Sequence, residues 1–149
     1  YAINEITVTR RETTSMITID TYLDGEFLNS FWSDGLIIST PTGSTGYNLS
    51  CGGPIVHPSN QNFIITPVAP HNLNVRPLIV SENSCIDLKI RSRANEYFLS
   101  LDSRNLALTT DVELRISKAE FKINIVEAND ASYFTTLRDK MLWGSDKRN

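Results

Sequence analysis

Cysteine is scarce in this chain, which has two, Cys51 and Cys85. Neither has a histidine or another cysteine at the spacing of a zinc site, and one pair cannot form the disulfide framework of a small secreted domain. We therefore expect free thiols, no metal site, and a location in a reducing compartment, the cytoplasm.

Excess positive charge and long apolar runs are also missing. Lysine and arginine number 14 against 17 aspartates and glutamates, which gives a formal net charge of −3 at pH 7. Proteins that bind the phosphate backbone of nucleic acids need a basic surface, so we expect no nucleic-acid partner. No apolar run approaches the roughly 20 residues of a membrane-spanning helix. The layout of a signal peptide is absent too, so we expect no membrane partner.

The length of the chain favours a single domain. With 149 residues, of which 40% are hydrophobic, it can bury one core of its own. Its first residue is Tyr1 rather than methionine, and the alternation of a strand begins at Glu5. We expect one domain over residues 1–149, taken from a longer chain.

Alternation of apolar and polar residues recurs and is typical of strands buried on one face. Asp24 and Gly25 offer a tight turn, so residues 17–23 and 27–28 are predicted to form a hairpin. A second hairpin is predicted from residues 112–116 and 121–125. Further alternating segments are 5–10, 86–90 and 97–101, and two apolar runs without alternation, 36–38 and 63–65, suit strands buried on both faces.

Two helices are predicted. A short one begins near Thr45, after a glycine-rich loop. The other lies at the C-terminus, where Asp130 can cap a helix whose apolar face comprises Phe134, Leu137, Met141 and Leu142. The predicted fold class is therefore mainly β, an antiparallel β-sandwich of two sheets with a short helix after the glycine-rich loop and one C-terminal helix.

Residues 34–58 join an apolar strand to a loop rich in hydroxyls and glycines. Gly43 and Gly46 permit close approach of the backbone to a ligand, and a helix start near Thr45 would present free N–H groups to an anion or a sugar. The pattern is neither a P-loop nor the Gly-x-Gly-x-x-Gly dinucleotide motif. The residues alone leave two interpretations open, a ligand-binding loop and a tight structural turn.

The order of the residues in this segment resembles the signature of NAD kinases. It reads DGLIISTPTGSTGYNLSCGGPIVHP, where the family usually has Thr-Pro-Thr-Gly-Ser-Thr-Ala-Tyr followed by a serine and Gly-Gly-Pro. The resemblance covers nearly the whole chain. Its other matches are Asn4-Glu5, Ala69-Pro70-His71, Arg76-Pro77-Leu78, Asp102-Ser103, Leu137-Arg138-Asp139-Lys140 and Trp143-Gly144.

The resemblance implies that the nucleotide contacts of NAD kinases fall on the matching positions here. Asn4 and Glu5 would contact the adenosine part of NAD, and Asp34 would reach the nicotinamide end of NAD bound by a neighbouring subunit. Ala69 and Arg104 align as further contacts. The remaining contacts form the run Thr45, Gly46, Tyr47, Asn48, Leu49 and Ser50.

Four positions depart from the usual pattern of the family. Gly46 replaces an alanine, and Arg104 stands where relatives usually carry a neutral side chain. Trp32 and Ser15 occupy positions where some relatives have arginine and histidine.

NAD kinases carry a Gly-Gly-Asp-Gly loop in an N-terminal α/β domain, whose aspartate activates the 2′-hydroxyl of NAD for attack on ATP. That loop does not occur in these 149 residues. The resemblance therefore implies the C-terminal NAD-binding and oligomerisation domain, without a catalytic residue of its own and inactive alone. The full-length enzyme would use NAD, ATP and a divalent metal such as Mg²⁺, produce NADP, and form a homodimer or homotetramer through this domain.

Two alternatives come from other classes of protein. The C-terminal domain of a diacylglycerol-kinase-like lipid kinase would share the fold and the phosphoryl chemistry, but the Gly-Ser-Thr-Gly-Tyr sequence argues against it. A β-sandwich interaction module without enzymatic activity would explain the strands, but it would not explain the residue pattern of segment 34–58.

Overall fold

The structure is a computed structural model that describes residues 1–11, 15–126 and 132–144. Within these ranges, the helices are α1 (Tyr47–Ser50) and α2 (Tyr133–Met141). A 3₁₀ turn over Thr42–Thr45 precedes α1. The strands are β1 (Glu5–Arg10), β2 (Ile17–Leu23), β3 (Glu26–Ser33), β4 (Gly35–Ser39), β5 (Asn62–Val68), β6 (Leu78–Ser81), β7 (Ile86–Arg91), β8 (Glu96–Leu101), β9 (Arg104–Thr109) and β10 (Leu114–Ile116).

The strands form two antiparallel sheets, as predicted. A six-stranded sheet has the order β6-β5-β4-β1-β8-β9, and a four-stranded sheet has the order β10-β7-β2-β3. The predicted hairpin around Asp24 and Gly25 is confirmed as β2 and β3. Both turn residues have positive φ, 53° and 84°, which matches the twist of a two-residue hairpin.

The predicted hairpin of residues 112–116 and 121–125 is wrong. Residues 114–116 form β10, which pairs with β7, while residues 121–126 form no strand. The side chains of Phe121, Ile123 and Ile125 alternate as a strand would, yet they are exposed. Alternation predicts which side chains share a face, but it does not supply a neighbouring strand for the backbone N–H and C=O groups.

The chain divides into two compact units, Tyr1–Ala119 and Glu120–Asn149. The first contains both sheets and α1. In the second, α2 begins after Ser132, whose hydroxyl accepts a hydrogen bond from the backbone N–H of Thr135 at 3.5 Å. The predicted cap, Asp130, lies outside the described residues. That residues 1–149 fold as one domain stays a prediction.

The core of the first unit lies between its two sheets. Alternate side chains of β1, β4, β5 and β8 meet those of β2, β3 and β7 there, which explains the period-two patterns in the sequence. Tyr97 is the largest of the side chains that are fully buried there. Core residues from both sheets include Val8, Leu36, Ile38 and Ile65 on one side and Ile17, Ile19, Leu88 and Ile90 on the other.

Strand β4 is buried on both faces, as its unbroken apolar run predicts. One face contributes Leu36 and Ile38 to the core. On the opposite face Ile37 is fully buried as well, and so is Thr66 at the paired position of β5. The Thr66 hydroxyl donates to the Asn48 side chain at 2.7 Å, so the glycine-rich loop covers the outer face of the sheet here.

Candidate nucleotide site

The glycine-rich loop begins where β4 ends, at Ser39. The predicted short helix is present, but α1 starts at Tyr47 and has only four residues. A single turn carries little helix dipole, so the loop offers a ligand mainly its hydroxyls and its backbone groups. The 3₁₀ turn over Thr42–Thr45 presents these groups next to the start of β1.

The turn that carries Asn4 packs directly on this loop. The Thr40 hydroxyl donates to the Ile3 carbonyl oxygen at 2.7 Å, and the Thr40 backbone N–H donates to the Asn4 carbonyl oxygen at 2.9 Å. A Cβ atom added to Gly43 would lie 2.1 Å from the same Asn4 oxygen. Glycine at position 43 is therefore required by the contact between the loop and the turn.

Glu5 follows in this turn and faces Gly46. A Cβ atom on Gly46 would lie 3.3 Å from Glu5 Oε2. That carboxylate oxygen is buried and has no hydrogen-bond partner among the described residues. Burial raises the pKa of Glu5, and the negative charge of Asp102 raises it further. An unpaired buried carboxylate oxygen is costly unless a ligand donates to it, which makes Glu5 a candidate acceptor for a ligand hydroxyl.

Asp102 holds the other side of this turn. Its carboxylate accepts the backbone N–H groups of Ile3, Asn4 and Glu5 at 2.8, 2.8 and 3.1 Å. Arg104 donates to the backbone carbonyl of Tyr1. Burial by itself would raise the pKa of Asp102, but the three backbone hydrogen bonds and the charge of Arg104 hold it below the ordinary value.

Replacing Asp102 with asparagine should make the stability of the protein less sensitive to acid. Because the folded-state pKa of Asp102 is lowered, its stabilising effect is present above the ordinary value of 3.8 and is lost as the pH falls through the folded-state pKa. We expect Asp102→Asn to lower the free energy of unfolding by about 1–2 kcal/mol at pH 7. Urea denaturation from pH 7 to pH 3 measures the free energy of unfolding of the wild type and of Asp102→Asn. The difference between the two should become smaller towards pH 3.

Asp139→Asn, which changes an exposed carboxylate on α2, is the matched control for the loss of one charge. If the wild type and Asp102→Asn differ by the same amount at every pH, the charge of Asp102 does not hold the turn.

The interior of the loop is organised around Asn48, which is fully buried. Its amide nitrogen donates to the carbonyl oxygens of Ser44 and Pro54 at 2.9 and 3.1 Å, and its amide oxygen accepts from Thr66. The Ser44 hydroxyl and the backbone of Val56 exchange hydrogen bonds at 3.0 and 3.1 Å. The side chain of Asn48 thus fixes the loop from within, and its predicted contact with nucleotide stays a prediction.

The other members of the predicted run lie nearer the surface. Gly46, Tyr47 and Ser50 are exposed, and Thr45 and Leu49 are half-buried. Burial raises the pKa of the Tyr47 phenol, as do the charge and the hydrogen bond of the Cys51 thiol and, least, the charge of Asp34. The phenol therefore has a partner, while the residue as a whole is 42% exposed and accessible to a ligand.

The predicted contacts fall into two groups at opposite ends of β4. The first group, at the Ser39 end, comprises the turn with Asn4 and Glu5, the glycine-rich loop and Arg104. At the other end, Asp34 donates its backbone N–H to the Val68 carbonyl oxygen at 3.0 Å, next to Ala69. Five strand residues, Gly35–Ser39, separate the backbones of the two groups along β4. The side chains approach each other more closely, since the charge of Asp34 contributes to the raised pKa of Tyr47 in the first group.

A cavity of about 600 Å³ lies on the outer face of the four-stranded sheet, and two of its lining residues, Trp32 and His71, lie two positions along the chain from Asp34 and Ala69 of the second group. The rings of Trp32 and His71 are in contact beside it, with their centroids 4.3 Å apart and their planes tilted by 37°. Trp32 and Ser15, two of the positions that depart from the usual pattern of the NAD kinase family, therefore both line this cavity. Its lining residues are Ser15, Met16, Thr18, Trp32, His71, Arg91, Ser92 and Arg93.

Two searches of the described ranges gave negative results. Residues 1–11, 15–126 and 132–144 contain no group of three or more histidine, cysteine, aspartate or glutamate side chains that could hold a metal ion. In the same part of the chain, neither helix has the length and apolar character needed to cross a membrane.

Proteins of known family are similar to this chain in sequence. Residues 3–128 match the ATP-NAD kinase C-terminal domain family. The chain is 58% identical over its whole length to the NAD kinase of Flavobacterium psychrophilum and 54% identical to that of Cytophaga hutchinsonii, and covers 51% of each. The chain thus spans about half the length of the curated relatives it matches.

Two solved structures share the fold. The yeast NADH kinase complexed with NADH superposes with a TM-score of 0.87 at 29% identity, over 97% of this chain and 45% of that one. The NAD kinase from Archaeoglobus fulgidus in complex with ATP superposes with a TM-score of 0.73 at 33% identity, over 80% of this chain and 46% of that one.

Proposed function

The chain belongs to the ATP-NAD kinase C-terminal domain family, and from this premise we propose that it is the NAD-binding half of an NAD kinase. The full-length enzyme transfers a phosphoryl group from ATP to the 2′-hydroxyl of the adenosine ribose of NAD and releases NADP. The observation that carries the proposal is the contact between the Asn4–Glu5 turn and the glycine-rich loop, with a buried Glu5 oxygen left free to accept a hydrogen bond.

In this proposal the first group of residues binds the adenosine part of NAD. Asn4 offers an exposed amide to adenine or ribose, and Glu5 accepts from a ribose hydroxyl. Tyr47, with Thr45 and Ser50 beside it, packs against the nucleotide. Asn48 and Leu49 support this surface from beneath, and Gly46 and Arg104 border it.

The chain's own contribution to the chemistry is binding and orientation. When the ribose is held in a fixed position, phosphoryl transfer becomes an effectively unimolecular reaction. This positioning accounts for much of the rate acceleration in such enzymes. The base that takes the 2′-hydroxyl proton and most of the ATP site belong to the half of the enzyme outside this chain. The described residues contain no group of three or more histidine, cysteine, aspartate or glutamate side chains that could hold a metal ion, and we assign no metal ligand among them.

The second group, Asp34 and Ala69, serves the nicotinamide end of NAD bound to a neighbouring subunit. This assignment requires a closed homo-oligomer, a dimer or a tetramer. Its support is the family resemblance at both positions.

Replacing Asn4 with alanine should weaken NAD binding in the full-length enzyme without destabilising it. The side chain of Asn4 is exposed, so its loss removes a ligand contact and no core packing. One such hydrogen bond is worth about 1–3 kcal/mol when its partner is left buried, so affinity should fall roughly 5- to 150-fold. Calorimetric titration with NAD measures this change.

Asn60→Ala, at another exposed asparagine, should leave the affinity unchanged. The assignment of Asn4 fails if Asn4→Ala binds NAD as the wild type does while its melting temperature falls by several degrees.

A further inference from the structure

Arg10 and Asp34 form a bidentate ion pair at the end of the sheet. Arg10 is the last residue of β1, and Asp34 joins β3 to β4. The Arg10 Nε lies 2.8 Å from Asp34 Oδ1, and a terminal guanidinium nitrogen donates to Oδ2 at 3.1 Å. Both side chains are about three-quarters buried, with exposed fractions of 26% and 29%. Two parallel hydrogen bonds fix the orientation of a carboxylate as well as its position.

The backbone of Asp34 is held just as firmly. Its N–H donates to Val68 on β5, and its carbonyl oxygen accepts from the Arg10 N–H, both at 3.0 Å. The next residue, Gly35, has no room for a side chain, because a Cβ atom would lie 2.4 Å from the Val8 carbonyl oxygen. Because the backbone of Asp34 is fixed, only its side-chain torsions can vary, and the ion pair with Arg10 restricts them.

We propose that Arg10 is a positioning residue, which sets the Asp34 carboxylate in the orientation that receives the nucleotide. The inference rests on the proposed function, in which Asp34 contacts NAD. Arg10 engages one edge of the carboxylate, and each oxygen keeps a lone pair for a hydrogen-bond donor of the ligand. A carboxylate oriented in advance loses less conformational entropy when it binds, so the contribution of Arg10 appears in substrate affinity.

A double-mutant cycle in the full-length enzyme tests this inference. We expect Arg10→Gln to raise the KM for NAD about 10-fold and to change kcat less than twofold. Asp34→Ala should raise KM by a similar factor. Because Arg10 acts through Asp34, the double variant should have the KM of Asp34→Ala alone. Arg10→Lys, which keeps the charge without the planar fork, should fall between the wild type and Arg10→Gln.

The pair of Arg115 and Asp87 supplies a matched control. It has the same bidentate geometry, with distances of 2.7 and 3.1 Å, on the four-stranded sheet. Arg115→Gln should leave the KM for NAD unchanged.

Three outcomes would overturn the inference. In the first, the rise in KM caused by Arg10→Gln adds fully to the rise caused by Asp34→Ala. In the second, both Arg10 variants have a lowered melting temperature and an unchanged KM for NAD. The third is a wild-type enzyme that does not phosphorylate NAD, which overturns the proposed function as well and is distinguished by the wild-type assay alone.

Discussion

Gly43→Ala should destabilise the protein and disable the nucleotide site at the same time. The added methyl group would lie 2.1 Å from the Asn4 carbonyl oxygen and 2.5 Å from the carbonyl carbon, which are backbone atoms that cannot rotate away. Forcing extra volume into such a contact costs about 1–3 kcal/mol, and more where the backbone must move. We expect the free energy of unfolding to fall by about 3 kcal/mol.

The larger effect should be on activity. The turn with Asn4 and Glu5 would shift by about 1 Å, and a misplacement of this size lowers catalysis by about 100-fold. The kcat/KM for NAD of the full-length enzyme measures this loss. Gly46→Ala is a graded comparison in the same loop, because its methyl group would meet the Gly43 carbonyl oxygen at 3.2 Å and Glu5 Oε2 at 3.3 Å, contacts that a small shift relieves. We expect its loss of kcat/KM to be well below that of Gly43→Ala. Equal losses in the two variants would contradict the contact proposed for Gly43.

Asn48→Asp should unfold the glycine-rich loop at neutral pH. The substitution keeps the shape of the side chain but replaces the donor to Ser44 and Pro54 with a second carboxylate oxygen. The Thr66 hydroxyl can still donate to the other oxygen, but the new carboxylate oxygen would face two carbonyl oxygens in the buried interior, so we expect a loss of about 3–5 kcal/mol. Thermal unfolding should then show a melting temperature lowered by roughly 10 °C or more.

Asn124→Asp makes the same chemical change at an exposed position and should leave the melting temperature nearly unchanged. An Asn48→Asp variant as stable as the wild type would mean that the amide does not hold the loop. The loop has no spare room around this side chain, since a Cβ atom on Gly53 would lie 2.0 Å from Asn48 Oδ1.

The sequence predicts most of the strands, because period-two alternation is a local property, but it does not predict the order of the strands in the sheets. Residues 17–23 show the alternation, and Asp24-Gly25 specifies the turn that pairs β2 with β3. Residues 121–125 show the same alternation, yet they form no strand. Pairing depends on which segments become neighbours in the fold, and alternation contains no information on that.

The candidate site was predictable only where the sequence matches a known family. Asn4, Glu5 and the run Thr45–Ser50 are predicted in this way, and their contacts with nucleotide stay predictions. Arg10 and Asp102 were given no role, because their partners lie far along the chain: Asp102 bonds to the backbone of Asn4, 98 residues away. Backbone hydrogen bonds of this range leave no local pattern, so only the structure identifies the side chains that hold the site.

The formation of NADP from NAD and ATP by the full-length enzyme, followed in the presence of Mg²⁺, tests the central claim most directly. The account predicts that the full-length enzyme produces NADP and that the 149-residue chain alone, cleared of host enzymes, produces none above a protein-free blank. A full-length protein that leaves NAD unchanged while it phosphorylates diacylglycerol, or an isolated chain that makes NADP, would contradict it.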